Sequence, residues 1–201
     1  MTLPTIRAGA LSSSAQPSLT SGDGELALRR WDVGDAAVLY TAFQDPVIRH
    51  WHARQMSSLE EAREWIEDVN QGWQQERTAQ WAVSRTDDGE ILGRMALREL
   101  NLHEGLADCG YWILPDARGT GVAPRALATM ADWALETAGF HRLDLEHSVG
   151  NEASCRVAAK AGFTVEGTRR GSALHTDGWH DMHLHARVQG DDCSEQRKHL
   201  S

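Results

Sequence analysis

A short stretch with two glycines, residues 118–123 (RGTGVA), joins an apolar run to an amphipathic helical pattern and constrains the fold most strongly. Gly119 and Gly121 are separated by one residue, so backbone N–H groups there can approach a ligand without interference from a Cβ atom. A helix that begins at such a turn adds unpaired N–H donors and the positive end of its dipole. The stretch therefore predicts a strand, a cradle for a phosphorylated ligand and a helix, in that order.

Two common phosphate-binding motifs do not fit these residues. The chain has no G-x-x-x-x-G-K-[ST] motif, and Pro124 stands where a dinucleotide-binding G-x-G-x-x-G/A motif needs its third small residue. What remains is R-x-x-G-x-A, formed by Arg118, Gly121 and Ala123. The cradle therefore belongs to neither of those nucleotide-binding classes.

The R-x-x-G-x-A string resembles the coenzyme A pyrophosphate motif of the GCN5-related N-acetyltransferases (GNAT), and the flanking residues resemble their RimJ/RimL-type branch. The resemblance extends from about Leu26 to Val188. Besides the cradle it comprises residues 45–49 (DPVIR), 110–112 (GYW), 151–154 (NEAS), 160–163 (KAGF) and 166–167 (EG), and Gly178 with Asp181. Each of these is weak alone, but their order and spacing together are a strong signal.

Composition limits the class of protein. The chain has 201 residues, of which 41% are apolar and 24% charged, and this predicts one globular domain with a full core. A net charge of −9 argues against nucleic acid as the main partner. Three cysteines without C-x-x-C spacing favour reduced thiols and a cytoplasmic location, and no signal peptide or membrane span is predicted.

Hydrophobic periodicity predicts a mixed α/β domain at 25–188, between a flexible leader at 1–24 and a polar tail at 189–201. The predicted strands cover 25–31, 80–85, 91–100, 107–114, 142–147, 163–166 and 179–187. Helices are predicted over 33–43, 122–138 and 151–161, and a further helix opens at Ser57-Ser58. The resemblance implies the GNAT fold of the α+β class: a mostly antiparallel sheet of six to seven strands, about four helices, and a splay between the two central strands.

The resemblance also implies the residues that bind the coenzyme. The strand that ends at Ile113 and Leu114 would pair with the pantetheine arm through its main chain, as another strand would. The cradle residues Arg118, Gly119, Thr120, Gly121, Val122 and Ala123 would hold the pyrophosphate. Asn151, which is also a candidate N-cap, and Ser154 would contact the arm from a second helix.

Two residues are proposed for proton transfer. By resemblance to RimL-like enzymes, Ser154 is the hydroxyl placed to hydrogen-bond or protonate the departing coenzyme sulfur. Ala158 stands where many relatives carry a tyrosine acid, which leaves the proton donation either to Ser154 or to water. Asp108 is the candidate general base, and Glu146 and His147 are weighed beside it. The sequence does not decide which face of the strand carrying Asp108 meets the cleft.

Aromatic residues suggest where the acceptor binds. His50, Trp51 and His52 follow the first predicted helix and, together with Trp81 and also Trp73, are expected to contact the substrate. Trp65 and Trp133 recur at helical spacing and are expected in the core. His175, His180, His183 and His185 do not match the spacing of a structural zinc site, so no metal is expected.

These observations predict an N-acyltransferase that moves an acetyl group from acetyl-CoA to a primary amine, a protein N-terminus or a small molecule, by direct attack in a ternary complex. Two alternatives are a transferase for succinyl or another acyl group, and a coenzyme-binding regulatory module without activity. The expected partners are the coenzyme thioester and the amine, with neither nucleic acid nor membrane. Because family members often dimerise, the resemblance also makes a homodimer an expected state.

Overall fold

One open sheet of eight strands forms the centre of the protein, as seen in a computed structural model that describes residues 3–52 and 55–191. The strands lie in the order β1-β2-β3-β4-β5-β6-β8-β7. Their bounds are β1 Leu19–Thr20, β2 Leu26–Arg30, β3 Ala79–Arg85, β4 Ile91–Asn101, β5 Leu106–Ile113, β6 Arg142–Ser148, β7 Thr164–His175 and β8 Gly178–Val188. The mixed α+β class and the sheet of the predicted fold are confirmed, with one strand more than expected.

Five α-helices flank the sheet within the described ranges. They are α1 Ala36–Ala42, α2 Pro46–Trp51, α3 Leu59–Gln74, α4 Val122–Asp132 and α5 Glu152–Lys160. The Ser58 hydroxyl accepts from the Glu61 backbone N–H and begins α3, as its serine pair predicts. None of these helices has the length and apolar character needed to cross a membrane.

The parallel pair β5 and β6 separates partway along its length. Its register pairs begin at Leu106 with Arg142 and end at Cys109 with Leu145. Beyond that point β5 pairs with β4 as far as Ile113, while β6 pairs with β8 as far as Ser148. The predicted splay between the two central strands is therefore confirmed.

The two faces of the sheet are covered by different helices, and this decides where the β5 side chains point. Cys109 belongs to the apolar cluster under α4 and α5, whereas Trp112 belongs to the cluster that contains α1 and α3. Since a strand alternates its faces, Tyr111 shares the α4 and α5 side with Cys109, and Asp108 lies on the other side with Trp112.

The prediction of a flexible leader at 1–24 is wrong for its described part. Ile6 and Leu11 are 5% and 6% exposed and belong to the main core cluster. β1 pairs with β2, and the Trp81 indole N–H donates to the Pro17 carbonyl at 2.8 Å. The segment is rich in polar residues, but a few apolar anchors and backbone hydrogen bonds are enough to dock it. Of the predicted tail, residues 192–201 lie outside the described residues.

Two local features differ from the predicted helices. The helix predicted over 33–43 is followed closely by a second one that was not predicted: Pro46 is the first residue of α2, and the Asp45 carboxylate caps that helix by accepting from the Ile48 N–H at 2.9 Å. The helix predicted over 122–138 is α-helical only to Asp132 and continues as a π-helical turn, Trp133–Thr137.

The docked N-terminal segment gives a stability prediction. Leu11→Ala should lower the free energy of unfolding by about 2 kcal/mol or more, because it removes a buried side chain and leaves a cavity. Leu3→Ala is the matched control, since Leu3 is 92% exposed and should have almost no effect. Urea unfolding followed by tryptophan fluorescence measures both variants, and equal stabilities would contradict docking of the segment.

Candidate functional site

A cavity of about 710 Å³ lies where β5 and β6 separate. The end of β5 and the start of α4 form one wall, and the end of β6 and the start of α5 form the other. Trp51 and His52, at the end of α2, and His175, in the β7–β8 hairpin, lie at one end of it. A volume of this size suits a small-molecule ligand of several hundred daltons.

The glycine turn, residues 118–121, forms part of the cavity wall at the place where the sequence predicts the phosphate cradle. Gly119 and Gly121 have φ of 77° and 82°, a conformation that costs glycine little and other residues more. Gly121 is the N-cap of α4, and no side chain caps that helix. A Cβ added at Gly119 would meet no heavy atom within 4 Å. The first turn of α4 therefore directs backbone donors toward open space, as an anion site requires.

Eight of the ten residues expected to bind the coenzyme line this cavity. They are Ile113, Arg118, Gly119, Gly121, Val122, Ala123, Asn151 and Ser154. The other two, Leu114 and Thr120, line a neighbouring cavity of about 600 Å³. The Thr120 hydroxyl donates to the Ala117 carbonyl at 2.7 Å.

The Arg118 side chain connects the cradle to α2. Its Nε donates to the Ile113 carbonyl at 3.1 Å, and its terminal nitrogen donates to the Asp45 carboxylate at 2.6 Å. These contacts, with the backbone N–H groups of α2, lower the pKa of Asp45 against the opposing effect of its burial. Arg118 thereby fixes the end of β5 and the start of α2 relative to the glycine turn.

A pair of hydroxyls spans the gap between β5 and α5. Tyr111 Oη and Ser154 Oγ are 2.9 Å apart, and Ser154 is 7% exposed. Asn151 caps α5 by accepting from the Ser154 N–H at 3.1 Å, which leaves the serine hydroxyl for the tyrosine. Burial raises the pKa of Tyr111 to about 12, so its phenol is protonated at neutral pH. On α5, the fully buried Ala158 replaces the tyrosine that the family resemblance implies. The hydroxyl beside Ser154 comes instead from Tyr111 on β5.

The carboxylates weighed as a base lie at different places. Asp108 does not line the cavity: it is on the part of β5 that still pairs with β6, and burial raises its pKa. Glu146 does line the cavity and forms an ion pair with Arg169. His147 also lines it, but burial lowers its pKa, and its Nδ1 lies 2.8 Å from the Ser148 carbonyl.

Cationic and aromatic groups surround the end of the cavity near α2. Trp51 and His52 line it as predicted, together with Arg94 and Arg98. Burial, reinforced by these two arginines, lowers the pKa of His52 to about 4, so its imidazole is neutral at pH 7. His50 contacts the rings of its neighbours but does not line the cavity.

The prediction that Trp81 contacts the substrate is wrong. Its side chain is fully buried, it packs on Trp133 with ring centroids 5.5 Å apart, and its N–H is used by Pro17. Trp73 is likewise buried and donates to the Ser14 carbonyl. Both tryptophans serve the docking of the N-terminal segment, which the sequence reading treated as flexible.

Sequence reasoning missed Tyr111, Arg98 and His175 as cavity residues. For Tyr111 a signal was present: it is in the GYW string and alternates with Asp108, but the choice of face needed the helices in place. The four histidines considered together as metal ligands lie in two separate groups. His175 and His180 stack on each other, while His183 and His185 converge with His147 and Cys155.

Comparison with known proteins agrees with this geometry. A family model described as an acetyltransferase (GNAT) domain matches residues 25–164. The uncharacterized N-acetyltransferase YoaA of Bacillus subtilis is 29% identical over 146 residues, which are 72% of this chain and 82% of YoaA. The ribosomal-protein-serine acetyltransferase of Escherichia coli is 25% identical over 50% of this chain and 56% of its own length. Among solved structures, the ribosomal L7/L12 α-N-protein acetyltransferase RimL in complex with coenzyme A superposes with a TM-score of 0.81 at 19% identity, over 88% of this chain and all of that one.

Proposed function

The chain belongs to the GNAT family of acetyltransferases, and from that membership we propose that it transfers an acetyl group from acetyl-CoA to a primary amine by direct attack in a ternary complex. The observation that carries the proposal is that the glycine turn and the separated strands open onto one cavity. The backbone donors at the start of α4 would hold the pyrophosphate, and the end of β5 would pair with the pantetheine arm. Arg156 and Lys160 also line the cavity, and their charge suits the coenzyme phosphates.

The hydroxyl pair supports an active enzyme rather than a coenzyme-binding module without turnover. The neutral amine attacks the thioester carbonyl, the C–N bond forms and the C–S bond breaks. The departing thiolate takes a proton from Ser154 while Ser154 takes one from Tyr111, 2.9 Å away, and the Tyr111 phenolate then regains a proton from solvent. The amine proton leaves to a water held by Glu146, which we prefer over Asp108 because Glu146 lines the cavity.

We propose that the acceptor is the N-terminus of a polypeptide with an acidic residue close to the amine. The relatives that act on ribosomal proteins support a polypeptide acceptor. Arg94 and Arg98 at the α2 end of the cavity would repel a polyamine and attract a carboxylate. A neutral His52 adds no further cation there at pH 7.

A second candidate is transfer of an acyl group that ends in a carboxylate, such as succinyl. Arg98 favours it, because its Nε would lie 3.2 Å from a Cβ added at Gly110, the first β5 residue after pairing with β6 ends. A carboxylate on the acyl group would therefore meet this guanidinium near the point where the strands separate.

A turnover assay tests the proposal directly. With acetyl-CoA, thiol release should be at least about tenfold faster, in kcat/KM, on an N-terminal peptide with acidic second and third residues than on spermidine, because two arginines repel the polyamine. The same peptide with lysines at those positions is the matched control and should be poor. Faster turnover with succinyl-CoA would favour the second candidate, and preference for spermidine would overturn the acceptor assignment.

Variants of the hydroxyl pair test the proton path. Ser154→Ala and Tyr111→Phe should each lower kcat by about 10- to 100-fold, because they remove the proton donor. KM for the coenzyme should change less than kcat, because Ser154 supplies only one of several contacts to the coenzyme. Asp108→Asn, on the same strand but outside the cavity, is the matched control and should retain most activity. Steady-state kinetics against pH measures all three variants. A loss confined to Asp108→Asn would return the catalytic role to that carboxylate.

A further inference from the structure

A compact cluster of nitrogen and sulfur ligands lies beside the cavity, between the sheet and α5. It consists of His147 on β6, His183 and His185 on β8, and Cys155 on α5. One ligand atom from each residue lies within 4.8 Å of those of the other three. We call these four residues the His₃Cys cluster.

The sheet register explains why the three histidines share one face. His147 is directly opposite His183, and Leu145 is opposite His185, in the antiparallel β6–β8 pair. Cross-strand partners point to the same side of a sheet, as do residues two apart on one strand. α5 brings Cys155 to the cluster from its first turns.

The hydrogen bonds of these imidazoles leave one buried ring nitrogen without a partner. A carbonyl can only accept, so the His147 Nδ1 that lies 2.8 Å from the Ser148 carbonyl carries the proton, and its Nε2 in the neutral ring presents a lone pair. That Nε2 forms a hydrogen bond with His185 Nε2 at 3.0 Å. The Nδ1 atom of His183 is buried and has no hydrogen-bond partner among the described residues. A cluster that served only packing would leave this buried polar atom unsatisfied.

We propose that His147, Cys155, His183 and His185 bind one Zn²⁺ ion. Three imidazoles and a thiolate are ligands that zinc prefers. Zn–N and Zn–S bonds of about 2.0 and 2.3 Å place tetrahedral ligand atoms about 3.3 to 3.6 Å apart, so a spread of at most 4.8 Å needs only small side-chain rotations. The hydrogen bond from His147 to the Ser148 carbonyl is the outer contact that typically orients a zinc-bound imidazole.

The ion would be structural, because four protein ligands complete its tetrahedral shell. Its position links it to the chemistry, since Cys155 directly follows Ser154 and both are in α5. Zinc would tie α5 to β6 and β8 on the far side of the splay and hold the Ser154 hydroxyl at Tyr111. This second effect rests on the proposed function, whereas zinc binding itself does not.

The first test measures metal binding by a protein in which all four residues of the His₃Cys cluster are intact. The full chain, free of any affinity tag, is stripped with a chelator and titrated with Co²⁺ and then Zn²⁺. Cys193→Ser with His199→Ala is the background for every sample, because those two residues lie outside the described range and could bind metal themselves. We expect one equivalent of Co²⁺ with the intense visible bands of tetrahedral cobalt and a thiolate charge-transfer band, displaced by Zn²⁺ with a dissociation constant below about 1 µM. No binding, or octahedral cobalt without the thiolate band, would overturn the proposal.

Two variants then test the ligand set. Cys155→Ser should abolish the thiolate band, and His183→Asn should weaken Zn²⁺ binding by about 100-fold or more. His175→Asn is the matched control, because His175 stacks on His180 outside the cluster, and it should bind as the parent does. Unchanged binding in both cluster variants would overturn the site. Acetyl transfer is measured on the same samples: absence of turnover by the zinc-loaded parent would count against the proposed function and leave the metal site standing.

Discussion

The pairing of β5 with β6 ends at Cys109 and Leu145, and the cavity exists because the two strands separate beyond that point. Backbone groups at the end of β5 are then free from β6 and available to an extended ligand. The helices that follow the two strands, α4 and α5, begin at the same edge of the sheet and direct their first turns toward the gap. The end of the β5–β6 pairing therefore sets the positions of the glycine turn, the Tyr111–Ser154 hydroxyl pair and the end of the cavity near α2.

Charge divides the cavity into two ends that suit two different ligands. Near α4 and α5, uncapped backbone donors lie with Arg156 and Lys160, an environment for phosphates. Near α2, Arg94 and Arg98 surround a neutral His52, an environment for an acceptor or acyl group that carries a carboxylate. An overall charge of −9 on its own favours a cationic substrate weakly, and the local charges of the cavity favour an anionic group instead. Local geometry outweighs net charge here because Coulomb interactions are strongest at short range in a partly buried site.

Much of the fold could be predicted from the sequence, because periodicity and turn residues act locally. The strands predicted over 80–85 and 91–100 and the helix that opens at Ser57-Ser58 are such cases, and all are present. The N-terminal segment could not be predicted, since its docking depends on distant partners such as Trp81. Its composition resembles that of a linker, and only its tertiary contacts distinguish a docked segment from a flexible one.

Part of the candidate site could likewise be predicted from the sequence, and part could not. The cradle residues are contiguous in the sequence, so their motif could be found directly. The partner of Ser154 could not, because Tyr111 is 43 residues away and lies on a strand whose facing the sequence left open. The His₃Cys cluster was missed for a related reason: its residues lie on three elements, and no regular spacing joins His147 and Cys155 to the histidines of β8. Sheet register, not sequence spacing, brings them together.

Coenzyme binding at the glycine turn between β5 and α4 is tested by calorimetric titration with acetyl-CoA. Gly119→Ala and Gly89→Ala form a matched pair, since the two glycines have φ of 77° and 74° and neither added Cβ would meet an atom within 4 Å. The parent chain and Gly89→Ala should bind acetyl-CoA equally, and Gly119→Ala should bind at least about tenfold more weakly because its methyl group enters the phosphate position. Absence of binding by the parent chain, or equal binding by all three proteins, would contradict coenzyme binding at this turn.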